Sequence, residues 1–176
     1  MDLSQMVVNF ANEIVGPAWI LLWALATVVG VWYVGTAILR MVRAARIPGQ
    51  QVITTGDILP VLIIGALLAN LSTVINTIWN SFGSGTASYA AISYAGLDEF
   101  GRFKDAINAV LTIASIAGGF FFFKGLVILK KACDGHSSQG ANDVVWRAIT
   151  HMIGGAFLVQ IPAVIDAFRE TFNLYW

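Results

Sequence analysis

The sequence predicts an all-α membrane protein whose four hydrophobic helices form two tandem hairpins, each closed by a basic cytoplasmic loop. Three observations carry this. Of 176 residues, 57% are hydrophobic and only 11% are charged, against about 25% charged in an average soluble domain. Four long apolar runs lack strand-like alternation, and backbone at membrane depth must be hydrogen-bonded within its own segment, which selects helices. The ten Lys and Arg residues are grouped, so their placement informs where the formal net charge of zero does not.

A hydrocarbon core of about 30 Å takes about 20 helical residues. The runs that meet this are Ala18 to Leu39, Ile58 to Trp79, Ile107 to Leu129 and Ala148 to Phe168. The start lacks the basic n-region of a signal peptide and carries Asp2 and Glu13, so the N-terminus is expected to be retained. In the second run Asp57 can N-cap the helix, with Pro60 in its first turn, where a missing N–H does no harm. The fourth run is interrupted by His151, Gln160, Pro162 and Asp166, and a buried helix that avoids lipid explains it equally well. Pro162 is expected to kink it and free a carbonyl for a neighbouring group.

Arg40, Arg43 and Arg46 follow the first run; Lys124, Lys130, Lys131 and Arg147 surround the loop after the third; Arg102, Lys104 and Arg169 fall on the other side. By the positive-inside rule, both termini and the middle loop are outside. Lys124 lies six residues before Lys130, roughly 9 Å along a helix, within snorkelling reach of the cytoplasmic headgroups. The four phenylalanines before it point in successive directions 100° apart, so they cannot all face one partner.

A shift of about 88 residues lays "ATVVGVWYVGTAILRMVRAA" over "ASIAGGFFFFKGLVILKKAC", Gly30 meeting Gly118 and Arg43 meeting Lys131; "IIGALL" then meets "IGGAFL". Both halves would share one orientation, a parallel internal repeat. The organisation is a first hairpin over 1–80, a Gly/Ser/Ala-rich outer linker over 81–105 and a second hairpin over 106–176. The linker is either flexible, or a carrier of Tyr89, Ile92, Tyr94 and Leu97 on an interfacial helix.

Lipid offers no hydrophobic drive between spans, so small residues must let helices approach. The pairs Ala26 with Gly30, Gly65 with Ala69, Ala114 with Gly118, and Ser115 with Gly119 have the right spacing. Asn70, Thr73, Thr77 and Asn80 share one stripe, read as ordinary interhelical hydrogen bonding in preference to the wall of a hydrated pore.

Catalytic motifs are missing: there is no G-x-S-x-G, P-loop or H-E-x-x-H. The chain is expected not to be an enzyme and to need no metal or cofactor beyond a bound phospholipid. Cys133, the one cysteine, with Asp134 and His136 is too compact a group for a metal site. His151 and Asp166, separated by about 22 Å of helix, make a poor proton relay; Asp166 alone stays a minor candidate. A transporter needs broken helices at corresponding places in both halves, and Pro162 has no counterpart in the second run.

A pair of apolar helices joined by a short basic loop resembles the pilins of conjugative type IV secretion systems, and this chain is similar to two such hairpins in tandem. From "MDLSQMVVNFANEIVGPAWILLW" to "IPAVIDAFRETFNLYW" it resembles the TraQ family of conjugal transfer proteins of I-type plasmids. The DotE/IcmC small membrane proteins of the type IVB apparatus would be their counterparts. The resemblance implies a self-associating inner-membrane subunit that assembles into a pilus or channel. Its partners would be phospholipid, other secretion components and single-stranded DNA in transit, with no sequence-specific binding. The headgroup-facing or lumen-facing role would fall on Arg40, Arg43, Arg46, Lys130 and Lys131, with Lys124 close by. Ordinary pilins have one hairpin and a cleaved leader, a difference that leaves a fixed channel or scaffold component as the alternative. A small pore former is the more distant rival.

Overall fold

The structure, a computed structural model, describes residues 3–46, 55–82, 86–133 and 141–173. Its elements are α1 (Leu3–Arg46), α2 (Thr55–Ala69), α3 (Leu71–Phe82), a 3₁₀ segment (Ala95–Phe103), α4 (Lys104–Cys133), α5 (Ala141–Val159) and α6 (Ile161–Phe172). No strand occurs among the described residues.

α1 and α4 are each long and apolar enough to cross a membrane alone. The first is far longer than the expected run because its buried positions recur along one stripe, Ala11, Val15, Trp19, Leu22, Ala26 and Ala37, while Ile20, Val28, Val31 and Trp32 point away and stay exposed. That three-and-four spacing is the signature of a helix with one packed side.

The second and fourth runs are not single helices. The chain turns by 93° between α2 and α3 and by 88° between α5 and α6. The breaks fall at Asn70 and Gln160, and only if each bent pair counts as one span does the number of crossings reach four. Asn70 needs no proline: its side-chain Nδ2 donates to the Ala66 carbonyl at 3.1 Å, the local competition for backbone acceptors that weakens a helix interior at Asn. At the second break Pro162 lies in the first turn of α6, beyond the turn rather than inside a kinked helix. The carbonyl that Pro162 leaves without its i+4 donor is that of Leu158; the neighbouring Val159 carbonyl at the end of α5 accepts from Ser115 of α4 at 3.0 Å. A break in the second run, absent from the sequence argument, therefore has a counterpart in the fourth.

Two further expectations change. α2 begins at Thr55, so Pro60 sits in its second turn; the Asp57 side chain lies outside the described residues, as do Asp134 and His136. The linker is neither loose nor an interfacial α-helix. Residues 86–94 form neither helix nor strand, with a bend at Ala90, and the 3₁₀ segment follows, with Tyr94 and Leu97 buried and Tyr89 and Ile92 half-buried against the bundle.

The helices pair as the small residues direct. α1 and α2 run antiparallel with Gly30 on Gly65, and α4 and α5 run antiparallel with Gly118 on Gly155. A methyl group at Gly30 would lie 2.6 Å from the Gly65 carbonyl oxygen and 2.9 Å from the Ala69 nitrogen; one at Gly118 would lie 2.8 Å from the Gly155 oxygen and 2.8 Å from the Val159 nitrogen. The two contacts are alike atom for atom. Trp19 and Leu22 of α1 cover Gly119 of α4, and one core joins Leu22, Ala26, Leu68, Ile75, Phe122 and Val159 from five helices.

Candidate functional site: a cationic end and a pinned strap

α1 and α4 lie parallel, Trp19 against Gly119 near one end and Lys130 over Tyr33 near the other. Both therefore head toward the same side of the bundle, α4 ending at Cys133 just past Lys130 and α1 running on from Tyr33 to Arg46. Arg40 and Lys130 come together there and Lys131 follows; Lys124 and Arg147 lie further back along the bundle, and Arg43 and Arg46 lie beyond the end of α4. The Lys130 ammonium sits 5.0 Å from the centroid of the Tyr33 ring, a cation–π distance. Arg40 and Lys130 line a small gap of about 10 Å³ with Thr36, Ala37, Ile58 and Val61. Arg43, Arg46, Lys124 and Lys131 are exposed. Lys124 points away from the core, which takes its neighbours Phe122 and Leu126; Phe120 and Phe121 are exposed, so the four phenylalanines divide as their angular spacing requires.

The packing residues are only partly brought together. Ala26 is fully buried and Gly30, Gly65 and Gly118 sit at contacts. Ala114 is half-buried, while Ala69 is exposed and contributes its backbone alone. Asn70, Thr73, Thr77 and Asn80 are all exposed, and the interhelical bonding expected of them gives way to bonds within their own helix: Thr77 donates to Thr73 O at 2.9 Å, and Ser81 continues the pattern onto Thr77 O.

The opposite end holds the polar side chains with the most specific partners. A segment outside helix and sheet must find partners for its N–H groups elsewhere, and α3, α4 and Gln160 at the α5–α6 break supply acceptors for residues 86–94. Asn76 of α3 accepts from the Ala87 N–H at 2.8 Å, Thr112 of α4 from Ile92 at 2.9 Å, and Asn108 of α4 from Tyr94 at 3.0 Å. Gln160, its amide turned oxygen-inward as the bonding requires, accepts from Ala87 and Ser88 at 3.1 and 3.0 Å. Tyr89 packs on Trp19 and Trp23 of α1 and donates its hydroxyl to Ser72 O at 3.1 Å. Tyr94 donates to Asp166 of α6 at 2.5 Å and accepts from Arg169 at 3.1 Å. Burial pushes Tyr89 up to about 12. Tyr94 is also raised, by burial first and then by its bond to Asp166, with Arg169 opposing.

Asp166 is thus a structural partner of Tyr94, while His151 bonds its own helix at Arg147 O, 2.8 Å away, and faces Phe121; the two have separate partners. Among the described residues no group of three His, Cys, Asp or Glu side chains could hold a metal ion. The polar groups at both helix breaks are engaged, Asn70 on Ala66 and Gln160 on the strap, and neither lines the pockets along Val31, beside Asn108 or at Lys130. Sequence reading missed Asn76, Asn108 and Thr112, and took Ser115 for a packing residue only. Their signal was there: uncharged polar residues inside apolar runs, two of them four apart on α4.

No protein-family model matches the chain, and no curated protein or solved structure matches it. What the geometry defines is the class, an all-helical protein with helices long and apolar enough for a membrane.

Proposed function

We propose that this chain is a self-associating structural subunit of a bacterial conjugative type IV secretion apparatus, pilin-like in construction, held in the inner membrane with its termini periplasmic. The observation that carries the reading is that parallel α1 and α4 send their basic segments, Arg40 to Arg46 and Lys124 to Lys131, toward the same side, meeting where Lys130 lies over Tyr33. Each Lys or Arg near an anionic headgroup surface contributes about 1 kcal/mol of attraction. That end holds phospholipid headgroups and moderates the charge of a conduit for single-stranded DNA. The like packing of Gly30 on Gly65 and Gly118 on Gly155 supports the halves as a parallel duplication. The exposed side of α1, with an apolar groove of about 540 Å³ along Thr27, Val31, Trp32 and Gly35, is where a second copy packs.

A second reading, a fixed scaffold or channel component of the same apparatus, is favoured by the strap, which ties both halves into one unit. Reversing Arg43 and Lys131 to Glu together is expected to abolish DNA transfer while the protein remains in the membrane fraction. Unchanged transfer would sink the role in either form. Mass spectrometry of sheared extracellular filaments separates the two readings, since only a pilin is their main component.

A further inference from the structure

We infer that the strap, residues 86–94, is a latch that holds the α2–α3 elbow bent, and that without its grip α2 and α3 straighten into one membrane-crossing helix. This goes beyond the secretion role and holds whether or not that role is right.

Bent, α2 is 15 residues, or about 22 Å, short of a hydrocarbon core of about 30 Å. Straight, the stretch from Thr55 to Phe82 reaches about 42 Å and crosses it with ease. Little in the elbow itself forbids the change. No proline lies between Pro60 and Phe82, and the ladder already bridges the break, Asn70 N–H to Ala66 O at 3.2 Å and Val74 N–H to Asn70 O at 3.1 Å. α3 can also tolerate the membrane. Thr77 and Ser81 bond back to their own helix, as hydroxyls in transmembrane helices do. The buried face of Leu71, Ile75 and Trp79 would exchange protein for lipid tails, which are as apolar, so burial gives the bend little preference.

Beyond this packing, which includes the Trp79 and Phe82 rings on Phe157, what distinguishes the bent form is polar and comes from the strap. Asn76 takes the Ala87 N–H, and the Tyr89 hydroxyl reaches Ser72 O, two residues beyond the break. The other elbow differs. Pro162 has no N–H to give to the Leu158 carbonyl, so α5 and α6 cannot fuse into an unbroken ladder even when released.

The test is a spin-label distance on the full chain in lipid, with Cys133→Ser removing the native thiol. Labels at the exposed positions Leu59 and Asn80 report the first elbow. At 1.5 Å per residue the backbone separation is about 22 Å at a right angle and about 32 Å when straight. Labels at the exposed Thr150 and Glu170 report the second elbow, at about 21 Å bent and about 30 Å straight. The unaltered strap should give the short distance at both. Asn76→Ala with Tyr89→Phe should add a long-distance population at the first elbow only. A single short distance in that variant would overturn the inference, as would a straight first elbow with the strap intact. Lengthening at both elbows would also overturn it, because that is general loss of fold. Straightening by Asn70→Leu alone, with the strap variant still bent, would make the elbow a local property and equally refute the latch.

Discussion

Gly118 and Gly155 lie back to back: a methyl group on either would stand 2.8 or 2.7 Å from the other's carbonyl oxygen. Such a contact leaves no room for any side chain. Gly118→Ala, Gly155→Ala and Gly30→Ala should each destabilise the bundle, by about 1–3 kcal/mol as overpacked sites do. Gly16, Gly35 and Gly154 have open space where a Cβ would go, so alanine there should be neutral or slightly stabilising. Denaturation in mixed detergent micelles measures both sets, and equal effects across them would contradict the packing.

The Ser115 hydroxyl is the partner of the Val159 carbonyl at the end of α5. Ser115→Ala leaves that acceptor unmet in a buried place, at a cost of about 1–3 kcal/mol. Hydrogen exchange should rise around residues 159–163 before it rises elsewhere. Uniform change along α4 and α5 would mean that the bond is incidental.

Tyr89 ionises late. Burial holds its hydroxyl at about 12 against an ordinary value of 10.0, so the folded chain keeps a proton that the unfolded chain gives up. The associated stability is complete below pH 10 and is lost as pH rises from 10 toward 12. Ultraviolet titration should show a tyrosine component near the top of this range that is missing in Tyr89→Phe, and that variant should lose less stability across it.

α6 contains no fully buried residue and is tied down by Ile161 and Ile165 against Tyr94, Leu97 and Leu111, and by the Tyr94 hydroxyl between Asp166 and Arg169. Tyr94→Phe removes a bond to a charged acceptor, about 1.5–3 kcal/mol in typical cases. We expect faster exchange through residues 161–172 with α4 and α5 unaffected. Asp166→Asn, which retains an acceptor, should do less, and the reverse order would assign the hold to charge rather than to the hydroxyl.

Much of the architecture was legible in the residues. The apolar runs marked the helices, the glycine pairs marked the contacts, and the sequence shift that aligned Gly30 with Gly118 anticipated two contacts of the same form. The grouping of the basic residues was legible too, because they follow the first and third runs. The pinned strap was not. Nothing local in Ser, Ala and Tyr marks residues 86–94 as ordered; their partners lie 11 to 75 residues away along the chain.

The amino-acid sequence by itself determined that the chain forms helices apolar enough to cross a membrane, which small residues let them approach and where positive charge is grouped, since hydropathy, side-chain size and charge are properties of the residues wherever they lie. Tertiary structure alone decided that the second and fourth runs bend at Asn70 and Gln160. An apolar run reads the same bent or straight. The choice rests on whether distant groups, Ser115 for Val159 and the strap's N–H groups for Gln160, arrive to satisfy what a broken helix leaves open.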